Sequence, residues 1–197
     1  MINLEEKVNT LYRTQSDINE HIPTILQYGQ ECDHITEMGV RAILSTWAWL
    51  ASGPSDKFIS YDLYHPSHWG GNIEEVEQTA KAYGINYEFK QADVLKIDIE
   101  ETDLLFIDTW HHYNQLKAEL NKHSCKARKY ICLHDTTSYE HHSEPTTSEN
   151  DFNGELQWDK GLWDAVSEFL DENVGTWKLK ERWTNNNGFT VIERVQK

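Results

Sequence analysis

The sequence predicts an α/β protein, with a mainly parallel sheet under helices that finishes on an antiparallel hairpin. Three observations carry this. Short apolar runs that close on acids alternate along the chain with segments of helical spacing. Leu104-Leu105-Phe106-Ile107 lies unbroken between Asp103 and Asp108, as a strand covered on both faces does. Near the end, Asn185-Asn186-Asn187-Gly188 separates residues 177–183 from residues 189–195, a strong hairpin signal.

Residues 1–30 form an acidic leader. Leu4, Val8 and Leu11 fall at helical spacing, and Ile22, Ile25 and Leu26 suggest a second short helix. Such a leader packs across one end of a sheet or helps form a homo-oligomer, and the sequence does not choose. Residues 31–197 then read as one α/β domain. Segment 34–40 is the first strand, ending in Glu37-Met38-Gly39-Val40, and 45–51 is a helix stopped by Ser52-Gly53-Pro54-Ser55. Segment 57–62 is a second strand closing on Asp62. Asn72 with Glu75 resembles a capping box, Ile73, Val76, Ala80 and Tyr83 mark a helical face, and Gly84 ends it. Segment 85–90 alternates as a third strand and runs into Asp93. The buried strand 103–108 is fourth, followed by a helix striped with Tyr113, Leu116 and Leu120. Residues 126–129 read as a basic connection into strand 130–133, which ends in His134-Asp135-Thr136. The polar stretch 137–158 is long enough to be a lid or substrate-binding segment. Leu162, Val166, Phe169 and Leu170 define the last helix before the hairpin.

At 197 residues the chain can bury a full three-layer core. A formal net charge of −15 argues against a nucleic-acid partner and suits a small neutral or weakly charged substrate. Cys32, Cys125 and Cys132 lack C-x-x-C spacing and read as reduced thiols. The first residues do not resemble a signal peptide, and no run approaches the roughly 18 to 20 apolar residues of a membrane span. The expected setting is cytoplasmic.

In an open parallel sheet, ligands bind where the strands end. Asp108 and His111 follow one strand, and His134 and Asp135 follow another. Two carboxylates with one or two imidazoles can hold a divalent cation, or an imidazole can take a proton from a substrate hydroxyl. Against this, the acids could simply cap helices, with His134 a bonded core residue. Glu37-Met38-Gly39 ends a strand where a glycine admits close ligand approach and the next helix offers N–H donors. Asp62, at the end of the next strand, is placed to accept ribose hydroxyls. Asp93 could accept from an adenine amine or cap a turn. The dinucleotide pattern G-x-G-x-x-G is absent, which disfavours an NAD enzyme and favours a nucleoside ligand without phosphates. His141 and His142 could join a metal site or form a solvated pair, His65 and His68 read as a surface turn, and Trp110 is close enough to line a pocket.

Glu37-Met38-Gly39-Val40-Arg41, Ser45-Thr46-Trp47, Asp62, Asp108-x-x-His111-x-Tyr113 and His134-Asp135-Thr136 together resemble class I S-adenosylmethionine-dependent methyltransferases. Within that class the likeness is to small-molecule O-methyltransferases of the cephalosporin hydroxylase-like and macrolide-sugar groups. It spans residue 33 to about 195, including Gly161-Leu162-Trp163. The resemblance implies a Rossmann-like, seven-stranded, mainly parallel sheet and methyl transfer to a hydroxyl of a small molecule, such as a sugar. It also implies that Glu37 and Gly39 lie by the methionine part of S-adenosylmethionine, Asp62 by its ribose and Asp93 by its adenine, with Ser45 a further cofactor-binding residue. Asp108, His134 and Asp135 would coordinate Mg²⁺ or another divalent cation, with His111 as general base. Two positions depart from the pattern: Ile43 stands where relatives carry a second glycine, and His134 stands where they carry an oxygen ligand. These departures support an alternative, a non-catalytic nucleoside-binding or scaffold protein with a methyltransferase-like fold.

Overall fold

A computed structural model of the protein describes residues 2–145 and 155–195. Helices α1 (Leu4–Arg13) and α2 (Ile22–Gly29) precede β1 (His34–Met38), α3 (Leu44–Ala51), β2 (Lys57–Asp62) and α4 (Ile73–Tyr83). Then follow β3 (Tyr87–Gln91), β4 (Thr102–Ile107), α5 (Tyr113–His123), β5 (Ala127–His134), α6 (Leu162–Glu172), β6 (Trp177–Trp183) and β7 (Phe189–Arg194). The seven strands form one sheet in the order β3-β2-β1-β4-β5-β7-β6, parallel up to β5 and antiparallel at β7 and β6.

The strand β4 shows why an unbroken apolar run suits this fold. Successive side chains on a strand point to opposite faces. Leu104 and Phe106 enter one core with α1–α4, whereas Leu105 and Ile107 enter the other with α5 and α6. The leader belongs to the first of these cores: Leu4, Val8, Ile22, Ile25 and Tyr28 pack there with Trp47 of α3. Asn72 caps α4, its Oδ1 accepting from Glu75 N at 3.1 Å, and Gly84 ends that helix at φ +74°.

Three boundaries differ from the sequence reading. β1 stops at Met38 because Gly39 turns the chain at φ +87°. β3 begins at Tyr87, two residues later than the alternation suggests. β5 begins at Ala127, so Arg128 and Lys129 are strand residues rather than a connection. Asp103 accounts for this: buried at the entry of β4, it accepts from Asp33 N at 2.9 Å and Arg128 Nε at 3.0 Å, with Lys129 Nζ at 3.6 Å. No helix among the described residues is long and apolar enough to cross a membrane. Residues 146–154 of the expected lid lie outside the described residues.

Candidate active site

Because β4 and β5 are neighbours and pair Ile107 with Leu133, Asp108 and His134-Asp135 leave the sheet side by side. His111, one turn beyond Asp108, swings back between them. Its Nε2 lies 2.9 Å from Asp135 Oδ2 and 3.4 Å from Asp108 Oδ1, and its Nδ1 lies 3.1 Å from Glu144 Oε2. Tyr139 stacks on the His111 ring at 4.8 Å and 14°. Asp108, His111 and Asp135 each offer a ligand atom, all within 4.8 Å of one another.

The electrostatics follow from this geometry. Burial disfavours a charge on His111, but Asp108, Asp135 and Glu144 outweigh it and hold the imidazole well above the usual histidine range. Burial likewise opposes the charge on His134, while Asp108 and Asp135 raise it to about 10. Both carboxylates feel desolvation pushing them up and the two imidazoles pulling them further down, so Asp108 and Asp135 lie below the ordinary carboxylate range.

The sequence reading places His134 among the metal ligands; the structure sets it behind them. Its side chain is 1% exposed, with Nδ1 3.4 Å from Asp108 Oδ1 and 3.2 Å from Asp135 Oδ2. Its Nε2 lies 3.3 Å from Asn186 O, which can only accept, so that nitrogen donates. His134 thus braces the two carboxylates from below. Among the described residues, the donor set that fits a divalent cation is Asp108, Asp135 and His111.

The β1–α3 loop forms the opposite side. A Cβ on Gly39 would meet the Asp108 carbonyl oxygen at 1.9 Å, so glycine is required there by the crossing of the β4 exit. Glu37 does not line the cavity. Fully buried, it accepts from Ser45 Oγ (2.6 Å), Thr46 Oγ1 (2.9 Å) and Ser60 Oγ (2.6 Å), tying β1 to β2 and α3. Desolvation raises its carboxyl to about 7. Asp62 is also occupied: Oδ2 accepts from Val40 N (2.8 Å) and Arg41 N (2.9 Å), and Oδ1 from Tyr64 N (2.9 Å). Asp93 holds a turn, with Leu95 N at 3.0 Å and Lys96 Nζ at 2.9 Å. Neither Asp62 nor Asp93 lines the cavity.

That cavity, of about 740 Å³, is bounded by Gly39, Val40, Ala42, Leu44 and Ser45 on one side and by Asp108, Thr109, His111 and Asp135 below. Its outer wall comes from Asp17, Trp69 and Asn187, which the sequence reading did not single out as site residues, and from Ser138, Tyr139 and Glu144 of the stretch 137–158 that it read as a lid or substrate-binding segment. They lie far apart in the chain and follow no period. Also missed is Glu119, buried on α5, which accepts from Thr109 Oγ1 at 2.7 Å and holds the residue after Asp108 in place. Trp110 packs on His112 at 4.5 Å with the rings tilted by 36°, and it is not part of the wall. His141, exposed, pairs with Asp164 at 2.9 Å, apart from the cluster.

No family model matches the sequence, and no curated protein matches it. Solved structures do. A methyltransferase from Podospora anserina bound to SAH (S-adenosylhomocysteine) aligns over 98% of this chain and 88% of its own, at 16% identity and TM-score 0.57. A SAM-dependent O-methyltransferase from Thermotoga maritima aligns over 100% and 72%, at 14% identity and TM-score 0.55. The N-terminal domain of EvdMO1, solved in the presence of SAH and D-fucose, aligns over 92% and 84%, at 16% identity and TM-score 0.54. The fold is that of the class I methyltransferases. The cavity lies at the carboxyl ends of the strands, with the first turn of α3 in its wall.

Proposed function

We propose that the protein transfers a methyl group from S-adenosylmethionine to a hydroxyl of a small molecule, a sugar or sugar-bearing metabolite. The observation that carries this is the meeting of Asp108, His111 and Asp135 on the floor of a cavity whose wall is the β1–α3 loop. The methyltransferase fold supports the cofactor, and D-fucose in the EvdMO1 structure supports a sugar.

S-adenosylmethionine supplies the methyl group as an electrophile on a sulfonium. The loop around Gly39 and the first turn of α3, with Ser45, orient its methionine end, and Glu37 keeps that loop in register from beneath. In this reading Asp62, whose Oδ1 can accept a bond beyond the one from Tyr64 N, serves a ribose hydroxyl, and Asp93 serves the adenine amine, although neither lines the cavity itself. His111 takes the proton of the acceptor hydroxyl at Nε2. Its resting imidazolium must first lose a proton, and the three surrounding carboxylates make the neutral ring a strong base. A divalent cation, where bound, is held by Asp108 and Asp135 and supplies polarisation of the acceptor oxygen. Alignment of the oxygen, carbon and sulfur provides much of the remaining acceleration.

A second reading, nucleoside binding without turnover, is favoured by the departures at Ile43 and His134, the latter a buried imidazole between Asp108 and Asp135 where an oxygen ligand is expected. Titration calorimetry with S-adenosylhomocysteine and with NAD tests both. Binding of S-adenosylhomocysteine with a Kd on the order of 1–100 μM, and none of NAD, is expected. NAD binding alone would reject the methyltransferase reading. Binding without turnover on a broad hydroxyl panel would favour the second.

A further inference from the structure

We propose that the outer wall of the cavity is a subsite for a protonated amine, so that the methyl acceptor is a hydroxylated cation rather than an anion. This rests on the reading of the cavity as a methyl-transfer site.

Three segments remote in sequence build the subsite: Asp17 from the leader, Arg41 from the β1–α3 loop and Trp69 from the turn after β2. Arg41 Nη1 lies 3.2 Å from Asp17 Oδ2, and its guanidinium carbon lies 5.8 Å from the centre of the Trp69 ring. A cation is therefore already seated between a carboxylate and an aromatic face, the two partners by which proteins recognise ammonium groups. The occupant is loosely held. The side chains of Arg41 and Asp17 are 67% and 43% exposed, and solvent screens such exposed pairs until they contribute little. A ligand ammonium can replace the guanidinium at small cost, while Arg41 keeps the seat filled between ligands.

The remaining charges point the same way. Asp108, Asp135 and Glu144 also line the cavity, and Arg41 is the one lysine or arginine among its described residues. That arginine is committed to Asp17, and His111 is enclosed by three carboxylates of its own. An anionic acceptor would meet carboxylates with no uncommitted cation, and like-charge juxtaposition is costly. Ser138 and Asn187 also line the cavity; Ser138 Oγ donates to Asn187 Oδ1 at 2.9 Å, which leaves the hydroxyl oxygen and the amide nitrogen to bond a ligand's hydroxyls.

Three sugars that share a ring and differ in charge isolate the effect: glucosamine, glucose and glucose 6-phosphate, titrated calorimetrically into protein saturated with S-adenosylhomocysteine. Glucosamine should bind about five- to tenfold more tightly than glucose, and glucose 6-phosphate more weakly than either. Asp17→Asn should remove the glucosamine advantage, Trp69→Ala should reduce it, and Arg41→Gln should widen it by emptying the seat. Retained S-adenosylhomocysteine affinity shows that each variant is folded. Tightest binding of glucose 6-phosphate, its loss in Arg41→Gln, equal affinities for the three, or no binding of glucosamine would overturn the proposal. Failure of S-adenosylhomocysteine to bind the unaltered protein would instead remove the methyl-transfer reading, and the amine seat can still be titrated in that case.

Discussion

Glu37 and His111 are both titratable groups raised above their ordinary ranges, Glu37 by desolvation and His111 by its carboxylate neighbours, so each holds its proton more tightly in the folded protein. Desolvation raises Glu37 from 4.5 to about 7, so between those values the folded protein binds more protons than the unfolded chain. Stability therefore falls as pH rises through that window, by about 3 kcal/mol once Glu37 is ionised. Glu119, raised to about 7 by its burial, adds a loss of the same sign. Glu37→Gln removes one share, so its melting temperature should decline less between pH 5 and 8 than that of the unaltered protein; parallel curves would refute this. His111 carries the proposed chemistry. His111→Ala should leave S-adenosylhomocysteine affinity within about twofold while lowering turnover by about 10²- to 10⁴-fold, and unchanged turnover would reject its role as base. Asp108, His111 and Asp135 were legible in the sequence because they follow apolar strands. The sequence reading set Glu37 beside the cofactor instead, although strand parity held the answer: two positions after Ile35, it shares that residue's face and points under α3 rather than at the rim.

Among the elements, the β1–α3 loop bears the largest conformational load. Gly39, Arg41 and Ile43 have φ of +87°, +46° and +61°, although only the first is a glycine. Left-handed non-glycine residues cost of order 1–3 kcal/mol each and persist where surrounding bonds over-determine them. Here the bonds from Val40 and Arg41 to Asp62 do so. Gly39→Ala adds a side chain both at positive φ and against the Asp108 carbonyl, and should cost more than about 2 kcal/mol in urea denaturation. A loss below about 0.5 kcal/mol would mean that the crossing is looser than drawn. The strands were readable because apolar runs and turn residues mark them locally. The extension of β5 back to Ala127 was not, because it depends on Asp103, 25 residues away, drawing Arg128 into the ladder.

For the molecule as a whole, the leader and the β6–β7 turn are joined across most of the chain. Asn186 donates from Nδ2 to Ser16 O at 2.8 Å and accepts at Oδ1 from Glu20 N at 3.0 Å. Its carbonyl oxygen lies 3.2 Å from His21 Nε2 and 3.3 Å from His134 Nε2. Asn186→Gly keeps the left-handed backbone and deletes both side-chain bonds. Amide hydrogen exchange over residues 14–21 should accelerate at least about tenfold, while the strand amides of β1 and β4 stay protected. Equal protection of the leader would show that Asn186 is not its anchor. None of this was legible beforehand: the leader has helical periodicity, but nothing local in a sequence reports a partner some 165 positions away.

The same clamp bears on how the chain matures during synthesis. Residues 185–194, which follow β5 in synthesis, supply the carbonyls that receive His21 and His134 and the strand β7 that covers the open edge of β5. A nascent chain that has released β5 but not yet β7 therefore exposes an uncovered β5 edge, the kind of surface that recruits stray strands, until the hairpin emerges.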